Sequence, residues 1–116
     1  MTVKKITAII DELQLTAVGT ALESRGVMGF TVHPVQGRGD YCNTYSRNQL
    51  VNHVQIEIYT SGKYAHRIAK LIIQTADVGA QSEGLVAITA VDQLYWICGG
   101  DTAAANEFKY YEVMHG

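Results

Sequence analysis

From Val3 to Ile10 the chain is mostly β-branched and apolar. Ile6, Ala8 and Ile10 fall on one side of an extended backbone, which predicts a buried strand. Thr16 then reads as an N-cap. Ala17, Val18, Ala21 and Leu22 follow at helical spacing, and Gly26 stands where a glycine ends a helix, so a helix is predicted from about Thr16 to Arg25. FTVHPVQ, Phe30 to Gln36, is a second strand. Pro34 has no amide to offer a ladder, so this strand belongs at a sheet edge. Gly37 to Asn52 carries two glycines and three asparagines with little periodicity, and reads as a long loop of the kind that is functional or mobile. In VQIEIYT, Val54, Ile56 and Ile58 alternate with Gln55, Glu57 and Tyr59, a third strand with one face on the core. Lys63 to Ala76 places Ala65, Ile68, Ala69 and Ile72 on one helical stripe. Gly79 to Gly84 is a short glycine-bounded loop, and Leu85 to Val91 is a strand apolar on both faces. The tail is aromatic, with Trp96, Phe108, Tyr110 and Tyr111; Glu107 to Met114 reads either as a fifth strand or as a pairing arm.

The order strand, helix, strand, strand, helix, strand is the split βαβ arrangement, an α+β ferredoxin-like sandwich with two helices on one face of an antiparallel sheet. The other face would carry Lys5, Thr7, Ile9, Gln55, Glu57, Tyr59, Leu85, Ala87 and Thr89. It is apolar enough that a homo-oligomer is expected to cover it.

Composition narrows the class. The 116 residues suit one domain, and 47% hydrophobic against 17% charged residues is globular. A net charge of −2 argues against a nucleic-acid or anionic-membrane partner. Asp11 and Glu12 interrupt the apolar N-terminal run, so neither a signal peptide nor a membrane span is expected. The two cysteines, Cys42 and Cys98, form no CxxC pair, which points to free thiols in a soluble cytoplasmic protein; a disulfide between them stays open.

Four segments resemble the PII signal-transduction proteins. KKITAIID (Lys4 to Asp11) is similar to their opening strand, and GVMGFTVHPVQGRG (Gly26 to Gly39) follows the pattern G-x-x-G-x-T-V-x-x-V-x-G-x-G. VQIEIYT resembles the strand after the PII T-loop, and IIQTADVGAQSEGLVAITAVD (Ile72 to Asp92) the second helix end, B-loop and fourth strand. The resemblance implies a single domain whose T-loop is about 37–53, B-loop about 79–84 and C-terminal tail 99–116. It implies a homotrimer with adenine nucleotides between subunits and a T-loop that engages a transporter or enzyme. By the same resemblance Thr31, Gly37, Arg38 and Gly39 line the nucleotide site, Glu57 and Tyr59 lie near the adenine, and Ile9 is its apolar neighbour. Ser82 and Gly84 are B-loop positions whose backbone amides would meet phosphates, as an anion-binding nest does.

The departures are informative. The B-loop lysine of the family is Leu85 here, and the paired arginines after the fourth strand are Trp96 and Cys98. Losing three cations weakens a triphosphate most, so ADP or AMP is expected to bind better than ATP. Tyr41 replaces the glutamine at the T-loop base that holds the metal with 2-oxoglutarate. The pattern is most similar to the carboxysome-associated, bicarbonate-linked PII-like proteins, which implies a carbon-assimilation or transporter partner. Arg38 and Arg47, with the amides around Gly39, suit a bicarbonate ion. Tyr41 sits at the same loop base, and Asp40 must turn outward or accept from Arg38.

Other chemistries are weaker. His33, His53 and Cys42 lack the tight spacing of a metal site. No GxSxG or Walker loop marks an enzyme, so no catalytic residue is assigned. The alternatives are a metal-linked PII-like or CutA-like regulator and a small ferredoxin-like enzyme.

Overall fold

The computed structural model describes residues 2–27, 29–37, 51–79 and 84–112. Ile6, Ala8 and Ile10 lie on β1 (Val3–Asp11), and Val54, Ile56 and Ile58 on β3 (Val51–Ser61); all six are buried. They pack against Val18 and Leu22 of α1 (Leu15–Ser24) and Ala65, Ile68 and Ile72 of α2 (Ala65–Ala76) in one core. The stripes anticipated from periodicity are therefore the ones that meet, and each fully buried isoleucine contributes about 1.5–3 kcal/mol.

The sheet order is β2-β3-β1-β4, with β2 at Thr31–Gly37 and β4 at Leu85–Val91, and every pair is antiparallel. This is the ferredoxin-like fold, with both helices on one face. Pro34 sits on the edge strand β2, opposite Val54, as its missing amide demands. The opposite face carries Thr31, Glu57, Thr7 and Ala87 in one transverse row, and Gln55, Ile9 and Leu85 in the next.

Element ends differ from the sequence reading. Thr16 is not an N-cap. Asp11 Oδ1 accepts from the Leu13 amide at 2.9 Å and starts a 3-10 turn, Glu12–Gln14, that feeds α1 one residue before Thr16. Gly26 does end α1, with φ +82°. Lys63 and Tyr64 precede α2 in a turn closed onto Ser61, whose Oγ accepts from the Lys63 amide at 3.2 Å. Gly37, Val51 and Asn52, assigned to the long loop, lie on β2 and β3, because that hairpin's ladder runs on to Gly37 opposite Val51. The rest of that loop, residues 38–50, lies outside the described residues.

The tail also differs. Ala105–Glu107 is a 3-10 turn and residues 108–112 join no strand ladder. Instead the tail docks on the helices. Arg25 Nη1 donates to the Tyr110 hydroxyl at 3.0 Å, and Tyr110 stacks on Tyr64 at 5.8 Å. Glu112 pairs with Arg67 at 3.1 Å, and the Tyr111 amide donates to the Arg25 carbonyl at 2.7 Å. Arg25 at the end of α1, Tyr64 at the start of α2 and Arg67 within α2 hold the segment in place of a strand partner. Before it, Leu94 to Ala103 doubles back as a tight reversal. Tyr95 pairs with Thr102, and Gly99 and Gly100 supply φ of +84° and +70°. No helix among the described residues is long and apolar enough to cross a membrane.

Candidate functional site

Thr31 and Glu57 face each other across the β2–β3 ladder, and Tyr59 follows two residues on, on the same side of the sheet. The three line a cleft of about 700 Å³ together with the neighbouring Phe30, and its far wall is built by Leu94, Trp96, Glu107 and Phe108. Local sequence explains the near wall, since alternation on β3 sends Glu57 and Tyr59 away from the core. The far wall exists only because the glycine-rich reversal returns residues 104–109 beside Trp96.

Glu57 is the electrostatic centre. Gln55 Nε2 donates to its Oε1 at 2.9 Å, Lys5 Nζ lies 3.5 Å from Oε2, and His33 Nε2 lies 3.4 Å from Oε1. The Gln55 hydrogen bond, with Lys5 and His33 adding, holds its carboxyl below the usual value of 4.5 despite partial burial. Glu57 therefore presents a carboxylate acceptor to the cleft at neutral pH.

Across the cleft, Trp96 Nε1 donates to Glu107 Oε2 at 2.6 Å, and the indole lies 6.1 Å from the Phe108 ring. Glu107 Oε1 accepts from the Ala104 amide at 3.3 Å. Among the described lining residues the only cation is Lys109. Thr60 borders the cleft too, and its buried Oγ1 has no partner among the described residues. Glu107, Phe108 and Phe30 were not anticipated as site residues. The Gly99-Gly100 pair was the available signal, because it marks a reversal able to return the tail toward Trp96.

Ile9 and Gly84 line a different pocket of about 340 Å³, between β1, β4 and the end of α2, with Ile72, Asp77 and Leu85. Gly37 closes β2 at the same end of the sheet. Thus Ile9, Gly37 and Gly84 lie apart from the Thr31–Glu57–Tyr59 cleft. Arg38, Gly39, Asp40, Tyr41, Arg47 and Ser82 lie outside the described residues, as does Cys42. Of the replaced basic positions, Leu85 lines the smaller pocket, Trp96 the larger cleft, and Cys98 is an exposed free thiol on the reversal.

His33 is half exposed beside Glu57, whereas His53 is buried opposite Val35. Among the described residues no three His, Cys, Asp or Glu side chains converge on a common point.

Residues 3–100 match the sequence profile of the family described as nitrogen regulatory protein P-II. A nitrogen regulatory protein P-II from Porphyra purpurea is 32% identical over 109 residues, covering 88% of this chain and 97% of its own. Nitrogen regulatory protein P-II 1 of Methanothermobacter thermautotrophicus is 33% identical over 112 residues, covering 86% and 93%. Among solved structures, Arabidopsis thaliana PII bound to citrate superposes with a TM-score of 0.76 over 88% of this chain and 89% of that one, a likeness of fold at 24% identity.

Proposed function

Because the chain belongs to the nitrogen regulatory PII family, we propose that it is a cytoplasmic, non-catalytic sensor of ADP or AMP. The observation that carries this reading is the single cleft shared by Thr31, Glu57 and Tyr59, walled by Trp96 and poor in cations. Among the described lining residues Lys109 is the one cation beside the two carboxylates Glu57 and Glu107, so each added phosphate brings charge with little to neutralise it. ATP is the disfavoured adenylate on this account.

Of the other expected ligand positions, Ile9 and Gly84 line a separate pocket, and Gly37 ends β2 at the same end of the sheet. A homotrimer, in which the cleft of one copy meets the glycine-bordered end of the next, joins the two sets and covers the apolar part of the open sheet face, including Leu85 and Tyr59, 39% and 37% exposed. Bicarbonate is the second effector, held by Arg38 and Arg47 with the amides around Gly39, while Asp40 and Tyr41 shape the loop base and Ser82 reaches the phosphates. Occupancy stabilises one conformation of the loop that joins β2 and β3 by differential affinity. That segment then controls a transporter or a carbon-assimilation protein.

Calorimetry with AMP, ADP and ATP, each with and without bicarbonate, tests the reading, alongside the mass of the assembly in solution. ADP or AMP binding more tightly than ATP, strengthened by bicarbonate, supports it. Tightest binding of ATP with no bicarbonate effect, or a monomer that takes no adenylate, overturns it.

A further inference from the structure

By sequence Trp96 is the loss of a cation; in the fold it is a built surface. Its Nε1 is tied to Glu107 at 2.6 Å, and the ring packs beside Phe108 at an interplanar angle of 33°. The residue is nevertheless 42% exposed and lines the same cleft as Thr31 and Glu57. Glu107 is itself fixed, since its second oxygen accepts from the Ala104 amide and closes the 3-10 turn Ala105–Glu107. The indole is thus held by backbone-anchored chemistry with part of its surface open. A large ring ordered in advance loses little further freedom when another flat ring stacks on it.

We propose that Trp96 is the specificity-determining residue of this cleft, a stacking wall for the base of a nucleoside or nucleoside monophosphate, and that Glu107 is the residue that positions it. The proposal rests on the adenine-nucleotide reading above and adds where most of the affinity comes from: the ring of the ligand, with the phosphate contacts at Ser82 contributing less. Adenosine itself is then a ligand. Its affinity is comparable to that of AMP, and affinity falls toward ATP as charge accumulates beside Glu57 and Glu107.

Trp96 is the only tryptophan in the chain, so its emission reports the cleft directly. The intact protein is titrated with adenosine, AMP, ADP and ATP, followed by fluorescence and calorimetry in parallel. Adenosine and AMP are expected to quench the emission and to bind within about threefold of each other. Trp96→Leu keeps bulk without a flat face and lowers the affinity for both by about tenfold or more, whereas Trp96→Phe retains most of it. Glu107→Ala frees the indole, lowering both its fluorescence anisotropy and the affinity. Glu107→Gln, whose one amide oxygen can still accept from Nε1 but not also from the Ala104 amide, restores most of both.

Calorimetric binding of AMP to the wild type with unchanged emission, and undiminished in Trp96→Leu, overturns the proposal while leaving the adenylate reading intact. Absence of binding by every adenosine derivative removes both. Equal loss of affinity in Glu107→Gln and Glu107→Ala, with a matching drop in thermal midpoint, marks Glu107 as structural and overturns its positioning role. Circular dichroism of each variant checks that the fold is retained.

Discussion

Gly84 packs directly on the Ile9 carbonyl oxygen, so closely that a Cβ at this position would overlap it. Its φ of +146° is also one that side-chain-bearing residues rarely adopt. Gly84→Ala must therefore shift the entry to β4 away from β1, at a cost of about 1–3 kcal/mol. Urea unfolding at neutral pH measures this; an unchanged midpoint would show that the contact relaxes freely.

The stability conferred by Glu57 depends on pH. Its folded pKa lies below its ordinary value of 4.5, chiefly through Gln55, then Lys5 and His33. A depressed carboxyl pKa stabilises the fold fully above the unfolded value, and that stability is lost as pH falls through 4.5 toward the folded pKa. The stability gap between wild type and Glu57→Gln is accordingly expected to be largest near pH 7, where ionised Glu57 is fully favoured, and to narrow in acid. Paired urea titrations across this range decide it, and a gap independent of pH contradicts the assignment.

Tyr110 separates two kinds of contact in tail docking. Tyr110→Phe removes the Arg25 hydrogen bond at 3.0 Å but keeps the stack on Tyr64, for a loss of about 0.5–1.5 kcal/mol. Tyr110→Ala removes both, together with the guanidinium 5.7 Å from the ring, and costs more. Amide hydrogen exchange at Tyr111, which donates to the Arg25 carbonyl, should quicken in the alanine variant first.

Thr60 offers a change in the opposite direction. Its residue is 2% exposed and its Oγ1 lacks a partner among the described residues. Thr60→Val replaces the hydroxyl with a methyl of nearly the same shape, so the thermal midpoint should hold or rise. A clear fall would reveal a hydrogen bond made by that hydroxyl.

Periodicity alone determined the strand and helix interiors of this protein. Ile6, Ala8 and Ile10 at period two, and Ala65, Ile68, Ala69 and Ile72 at helical spacing, are local patterns with one burial solution each. Pro34 placed its strand at the edge for an equally local reason, a missing amide. Resemblance to a known family grouped Thr31, Glu57 and Tyr59, which line one cleft, and alternation put Glu57 and Tyr59 on the open face. Tertiary structure decided the rest. Asp11, not Thr16, begins the path into α1, because β1 stays paired with β3 as far as His53 and the chain must turn at once. The tail runs over two helices because Arg25 meets Tyr110, 85 residues away. Trp96 became a wall of the cleft only when the Gly99-Gly100 reversal brought Glu107 to its indole. Such contacts join residues far apart along the chain, and no local propensity carries their partner, distance or angle.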